Sequence, residues 1–231
     1  LLRNQFHDIL PGSSCKEVYE DSKREYEELF ERGNGLKDNL LKKLTVLSRA
    51  KEGSMIVYNL NAFESSQVAE CPYPQGMAYP AAVLGETVCP IQRTYDGKGI
   101  FMAEHIPAKG SAAFRVEESS AVKSRVGMEG GVVDTPFFTV KLNRSGQFSS
   151  FVDKRAGREL LKEHEKGNTL VTYEDRPHYY DAWDINNYYT EKPYPIDQDA
   201  KITVLEDGPV RTVIRVEHEY LSSRIVQDLV F

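Results

Sequence analysis

The chain has little cysteine: three residues in 231, Cys15, Cys71 and Cys89. They cannot all pair and show no C-x-x-C spacing, which excludes a disulfide framework and an all-cysteine zinc site and points to a reducing compartment. No stretch approaches the roughly 20 apolar residues of a membrane span, and no basic region followed by an apolar core and a cleavage site opens the sequence. Basic residues are outnumbered, 29 against 35, for a net charge of -6. A nucleic acid or an anionic membrane would select a basic face, so neither is expected as a partner, and the substrate is expected to be neutral. There is no Walker loop, dinucleotide fingerprint, nucleophile elbow or H-E-x-x-H motif. Internal repeats and low-complexity segments are also missing.

What is present is the composition of a soluble globular protein, 40% hydrophobic, sufficient for the core of one large or two small domains. The first residue is Leu, and Arg224 to Phe231 is a strand pattern still running where the sequence stops, so both ends read as cut.

Ser14-x-x-Glu17 has capping-box spacing after a Pro11-Gly12 turn. Cys15, Val18, Tyr19, Ser22, Tyr26, Leu29 and Phe30 then recur at three and four, as in an amphipathic helix. Gly33-Asn34-Gly35 is expected to end it, and Leu36, Leu40, Leu41, Leu44 and Leu47 to form the stripe of a second helix, giving an α-helical hairpin. After Gly53 the texture becomes short runs of Val, Ile, Tyr and Phe. Met55 to Leu60, Ala81 to Val88, Ile91 to Tyr95, Gly99 to Ile106 and Ala112 to Val116 predict one small sheet, with turns at Asp96-Gly97 and Lys109-Gly110. Glu117 to Gly131, charged and Ser-rich, is the best linker. Phe137 to Leu142, Gln147 to Val152, Leu170 to Glu174, Ile202 to Glu206, Val210 to Tyr220 and Arg224 to Phe231 suggest long antiparallel strands of a sandwich. The fold class expected is α+β, mainly β: a helical hairpin, a small β domain and a truncated antiparallel β-sandwich.

Two clusters carry candidate chemistry. His7-Asp8, inside Asn4-Gln5-Phe6-His7-Asp8-Ile9-Leu10-Pro11-Gly12-Ser13, sets an imidazole beside a carboxylate, a pair that suits a cation such as zinc; taken alone, it is also an ordinary hydrogen-bonding arrangement at a helix start. Tyr179 to Tyr189 concentrates aromatic and acidic side chains around the single tryptophan, Trp183. Aromatic faces stack on sugar C–H surfaces while carboxylates bond hydroxyls; the plainer alternative is an aromatic loop packed between sheets. His105, His164 and His218 read as surface or structural, and His178 as a neighbour of the aromatic cluster. Asn143-Arg144-Ser145 fits a glycosylation acceptor but lacks a secretory signal.

The string Gln5 to Ser13 resembles the motif that closes the catalytic domain of glycoside hydrolase family 38, the zinc-dependent retaining α-mannosidases, in its bacterial and cytosolic branch. Tyr179-Tyr180-Asp181-Ala182-Trp183-Asp184-Ile185, followed by Tyr188-Tyr189 and Glu191-Lys192-Pro193, resembles the DAWD segment of the large β domain of the same branch. The resemblance implies that residues 1–52 end a catalytic domain and enter a helical bundle, 53–117 form a small β domain, and 118–231 begin a large β-sandwich. It makes His7 a Zn2+ ligand, and Asp8, Asp181, Trp183 and Asp184 substrate-binding residues for a mannose-containing oligosaccharide. The other zinc ligands and the aspartate nucleophile fall in an upstream catalytic barrel of the same protein, so no catalytic nucleophile or acid/base is assignable here. These residues alone are expected to bind zinc weakly and hydrolyse nothing. Cytoplasmic residence and room for a homo-oligomer complete the expectation; a non-catalytic carbohydrate-binding or scaffold β-sandwich module is the alternative.

Overall fold

The computed structural model describes residues 1–120, 127–129 and 131–231, the segment 127–129 as backbone alone. Part of the expected Glu117 to Gly131 linker, residues 121–126 and 130, lies outside the described residues. The fold is mostly β, with one long helix and several antiparallel sheets. Two compact units divide the chain, one of residues 1–50 and 172–194, the other of 51–171 and 195–231.

In the first unit a short 3-10 turn, Leu2–Gln5, precedes a single α-helix, Lys16–Ser48. The expected hairpin is therefore replaced by one continuous rod. Gly33 and Gly35 do not adopt the left-handed conformation that would end a helix; Arg49, at φ 54°, does so instead. Two interior glycines cost about 1 kcal/mol each, but no proline interrupts the segment and its Glu, Lys, Arg and Leu residues favour propagation. Pairs such as Lys16–Glu20 at 3.4 Å and Arg24–Asp21 at 2.5 Å reinforce its first turns. The capping box is also displaced: Cys15, not Ser14, is the N-cap, without a side-chain cap bond. Leu36, Leu40, Leu44 and Leu47 are all exposed, so among the described residues the leucine stripe has no facing helix.

The second unit contains two β blocks. In the N-terminal block one sheet has the spatial order Met55–Tyr58, Ser111–Glu118, Pro80–Leu84, Thr87–Pro90, and another the order Ser65–Pro72, Lys98–Ile106, Gln92–Arg93. The single sheet expected here is thus two. Ala81 to Val88 is a hairpin rather than one strand: Leu84 pairs with Thr87 around Gly85-Glu86, with Gly85 at φ 61°. Ser65–Pro72 shows neither an apolar run nor a clean alternation in its sequence, and Cys71 is its single buried residue. Cys71, Phe101, Ala103 and Ile106 of one sheet meet Ala82, Cys89 and Phe114 of the other, with Phe101 and Phe114 edge to face at 5.1 Å. Burial, then the nearby Glu70 carboxylate, pushes the Cys71 thiol up, as expected of an inert core cysteine.

The C-terminal block sets a five-stranded sheet, ordered Arg158–Glu159, Phe148–Asp153, Phe138–Leu142, Val132–Asp134, Gly127–Glu129, against a three-stranded sheet, ordered Lys201–Asp207, Thr212–Tyr220, Ser223–Val230. Val133 and Val140 of the first meet Ile214 and Val216 of the second, surrounded by Phe138, Phe148, Phe151, Leu229 and Phe231. Between these strands the chain leaves for the 172–194 segment, opened and closed by the pairing of Leu170–Tyr173 with Pro193–Ile196.

A buried polar clasp joins the blocks. The Gln92 amide donates to Glu206 Oε2 at 3.2 Å and to the Arg211 carbonyl at 2.8 Å, and accepts from the Val210 and Arg211 amides at 2.9 and 3.0 Å. Arg211 holds Glu206 through two bonds of 2.8 Å, and the Tyr95 amide donates to the same carboxylate at 2.9 Å. Burial pushes the Glu206 carboxyl up, but the Arg211 guanidinium and the Tyr95 amide outweigh it and hold it below its ordinary value of 4.5. Gly208 completes the fit, since a Cβ there would lie 2.3 Å from Gln92 Cδ.

Two outcomes follow. An added Cβ at Gly33 meets nothing within 4 Å, so Gly33→Ala should raise stability by about 0.5–1 kcal/mol in urea denaturation; a loss would mean the helix breaks there. Because the folded-state value of Glu206 is depressed, its contribution is fully present above pH 4.5 and is lost as pH falls through the folded value. The stability gap between wild type and Glu206→Gln should be widest at neutral pH and narrow on acidification below 4.5; a pH-independent gap would contradict the clasp.

Candidate functional site

Successive turns carry His7 and Asp8. Ile9 and Leu10 amides donate to the Phe6 carbonyl at 3.1 and 3.0 Å, and the Gly12 amide to that of Ile9 at 3.2 Å, with Gly12 at φ 88°. Pro11-Gly12 thus turns the chain toward the helix, as the sequence implied. His7 Nε2 lies 3.8 Å from Asp8 Oδ1, and the Phe6 ring sits 4.0 Å from the imidazole, centre to centre. The His7 side chain is 67% exposed and that of Asp8 49%, so both are available to a ligand.

The helix holds this loop at two places. Beyond the motif, the Ser14 amide donates to the Tyr19 hydroxyl at 3.0 Å, and that hydroxyl donates to the Asp8 carbonyl at 3.1 Å, with the Ile9 carbonyl at 3.4 Å. Before it, the buried Asn4 donates to Glu25 at 3.1 Å, and Arg3 forms an ion pair with the same carboxylate. Ser22, between Tyr19 and Glu25 along the helix, is the helix's single buried residue. Sequence reasoning placed Tyr19 on an apolar stripe; nothing in the local pattern marked its hydroxyl as the loop's anchor.

Imidazole and carboxylate are suitable donors for zinc, but a centre needs about four ligands. Among the described residues no group of three or more His, Cys, Asp and Glu is placed to hold a metal. His7 and Asp8 by themselves therefore do not make a zinc centre, and the structure does not bring Asp181 or Asp184 in to complete one.

The aromatic segment is not packed between sheets. Tyr179, Tyr180, Trp183, Ile185 and Tyr188 are exposed, Trp183 at 61%, and Asp181 and Asp184 are exposed with them. The Trp183 and Asp184 amides both donate to the Tyr180 carbonyl, at 2.7 and 2.9 Å, closing a tight turn that displays Asp181, Trp183 and Asp184 together. Tyr180 itself is left-handed at φ 54°, a conformation that is uncommon for a bulky side chain and found at ligand-binding turns. Asn186 caps the following 3-10 turn, Asn187–Glu191, by accepting from the Tyr188 amide at 3.1 Å. Tyr189 stacks edge-on against Tyr173 at 5.2 Å, anchoring the segment's base.

His178 adjoins the aromatic cluster in sequence, whereas His105, His164 and His218 belong to the second unit. His105 bonds Glu64 at 2.7 Å, which pushes its imidazole up, and His164 neighbours Glu163. His218, read as surface or structural, is buried at 2% exposure, its Nδ1 without a hydrogen-bond partner. The Asn143 amide is occupied by Gln147 and by the turn's own backbone, and Ser145 is buried. No helix of the described residues is long and apolar enough to cross a membrane.

Residues 1–44 match the α-mannosidase middle domain, and residues 133–231 match the glycosyl hydrolases family 38 C-terminal domain. Alpha-mannosidase G of Dictyostelium discoideum is 25% identical over 93% of this chain and 23% of its own length. Alpha-mannosidase 2C1 of Homo sapiens is 28% identical over 91% of this chain and 19% of its own. The crystal structure of an alpha-mannosidase from Enterococcus faecalis V583 superposes with a TM-score of 0.59 over 94% of this chain and 29% of that one, at 17% identity, a likeness of fold. The start and the end of the chain thus match domains named for the α-mannosidases and for the glycosyl hydrolases of family 38. It spans about a fifth to a quarter of the length of the curated relatives it matches.

Since Trp183 is the single tryptophan, its fluorescence reports this turn directly. Emission should be red-shifted, as for a hydrated indole, and readily quenched by acrylamide. A blue-shifted, protected spectrum would show that the turn is buried.

Proposed function

We propose that the chain is the middle segment of a zinc-dependent retaining α-mannosidase that hydrolyses terminal α-D-mannosyl residues of glycans. On this reading residues 1–52 end the catalytic domain and begin the helical bundle, 53–117 form a small β domain, and 118–231 are the first part of a large β-sandwich. The observation that carries it is the pair of family segments in one chain and in the expected order, the first containing the His-Asp loop. His7 serves as one zinc ligand, Asp8 bonds a sugar hydroxyl, and Asp181, Trp183 and Asp184 form part of the cleft rim, with the indole face against sugar C–H groups. The nucleophile, the acid/base residue and the other zinc ligands belong to an upstream barrel of the same polypeptide. Two carboxyls about 5 Å apart are the usual requirement for a retaining glycosidase, and that pair is not assigned within these residues, so the segment alone is inactive. Cytoplasmic residence rests on the family branch and the sparse cysteine.

The exposed tyrosines and Trp183 favour one second reading, a carbohydrate-binding module that retains mannosides without hydrolysing them. One experiment separates the two. In the complete α-mannosidase polypeptide, His7→Ala should lower both zinc content and hydrolysis of an aryl α-mannoside, the latter by at least about a hundredfold, with folding intact by circular dichroism. Full zinc and activity in the variant would sink the site assignment and leave the binding module.

A further inference from the structure

We infer that Tyr19 is a positioning residue for the His7-Asp8 loop, a role that rests on the reading of that loop as part of a mannosidase site. The loop's own turns fix little beyond their local hydrogen bonds. What fixes Asp8 relative to the helix is one hydroxyl, which accepts from the Ser14 amide at 3.0 Å and donates to the Asp8 carbonyl at 3.1 Å. Its two bonds span the segment from Asp8 to Ser14, so a single side chain closes the Ile9-Leu10-Pro11-Gly12 turn onto the helix.

Glu25 provides the second point. It holds Arg3 and the buried Asn4, three to four residues ahead of His7. The reactive pair thus lies between two anchors on one helix, and neither anchor is a member of the pair. Apart from the Phe6 ring against His7, an exposed imidazole and a half-exposed carboxylate have no enclosing core to orient them, so their direction depends on the backbone that carries them. A displacement of about 1 Å in such a group costs up to about a hundredfold in rate, and removal of one hydrogen bond is sufficient to loosen the turn.

The test uses Tyr19→Phe, which deletes the hydroxyl and keeps the ring, with Tyr26→Phe as a control. In the 231-residue chain, Tyr19→Phe should accelerate hydrogen exchange of the Ser14 amide roughly threefold to tenfold, while Tyr26→Phe leaves it unchanged. In the complete α-mannosidase polypeptide, Tyr19→Phe should lower kcat/KM about tenfold to a hundredfold. Part of that loss should appear as a raised KM, because Asp8 contacts substrate. A merely structural Tyr19 would reduce the folded fraction and leave KM where it was. Glu25→Gln, which keeps the acceptor for Asn4 but loses the charge paired with Arg3, should have a smaller effect in the same direction. Unchanged exchange at Ser14, or faster exchange with wild-type kcat and KM, overturns the proposal. His7→Ala run in parallel distinguishes the failures. Full activity in His7→Ala overturns the catalytic reading and the positioning role with it, whereas activity lost in His7→Ala but retained in Tyr19→Phe overturns the positioning role alone.

Discussion

The second unit depends on a charge buried where two β blocks meet. Glu206 is 5% exposed, and removing a carboxylate from water costs several kcal/mol unless its oxygens are fully bonded. Here they are: Arg211 takes both in a fork, the Tyr95 amide takes one and the Gln92 amide the other. Gln92 also satisfies the backbone of the turn that delivers Arg211. Removing Arg211 would leave Glu206 buried with amide donors alone, and removing Gln92 would leave the Val210 and Arg211 amides without their acceptor, so the members of the clasp support one another. Its geometry admits no side chain at Gly208, and it ties Gln92–Arg93, at the edge of one sheet, to Lys201–Asp207 of another.

The first unit solves a different problem with similar means. A His-Asp pair that must face a ligand cannot be buried, and exposed side chains do not orient themselves. The long helix supplies the missing order through Tyr19 and Glu25, each bonding backbone or side chain on one side of the pair. The aromatic turn at 179–184 follows the same logic. Its indole and carboxylates are exposed, and their arrangement comes from two amides converging on the carbonyl of a left-handed Tyr180.

Much of the strand pattern was legible, because alternation of Val, Ile and Phe is a local property. Phe138–Leu142, Phe148–Asp153, Lys201–Asp207, Thr212–Tyr220 and Ser223–Val230 lie where the periodicity put them. Ser65–Pro72 and Val132–Asp134 carry no such signal; the first lacks a clean alternation and the second is three residues long. The helix was misread at Gly33-Asn34-Gly35 because glycine only permits a break. Whether the chain takes it depends on a partner for the leucines, and exposed Leu40 and Leu44 have none among the described residues.

By itself, the sequence determined the chemistry on offer: a His-Asp pair, an acidic-aromatic cluster around one tryptophan, an acidic balance, free cysteines and a family signature. These are matters of residue identity and short spacing. The tertiary structure alone decided that the aromatic cluster faces solvent, that two sheets stand where one was expected, that the His-Asp loop hangs from Tyr19, and that Gln92 reaches Glu206 across 114 residues. The reason is physical. Periodicity and turn chemistry act within a few residues, whereas burial and hydrogen-bond satisfaction are settled between groups far apart in the chain, which meet only once it has folded.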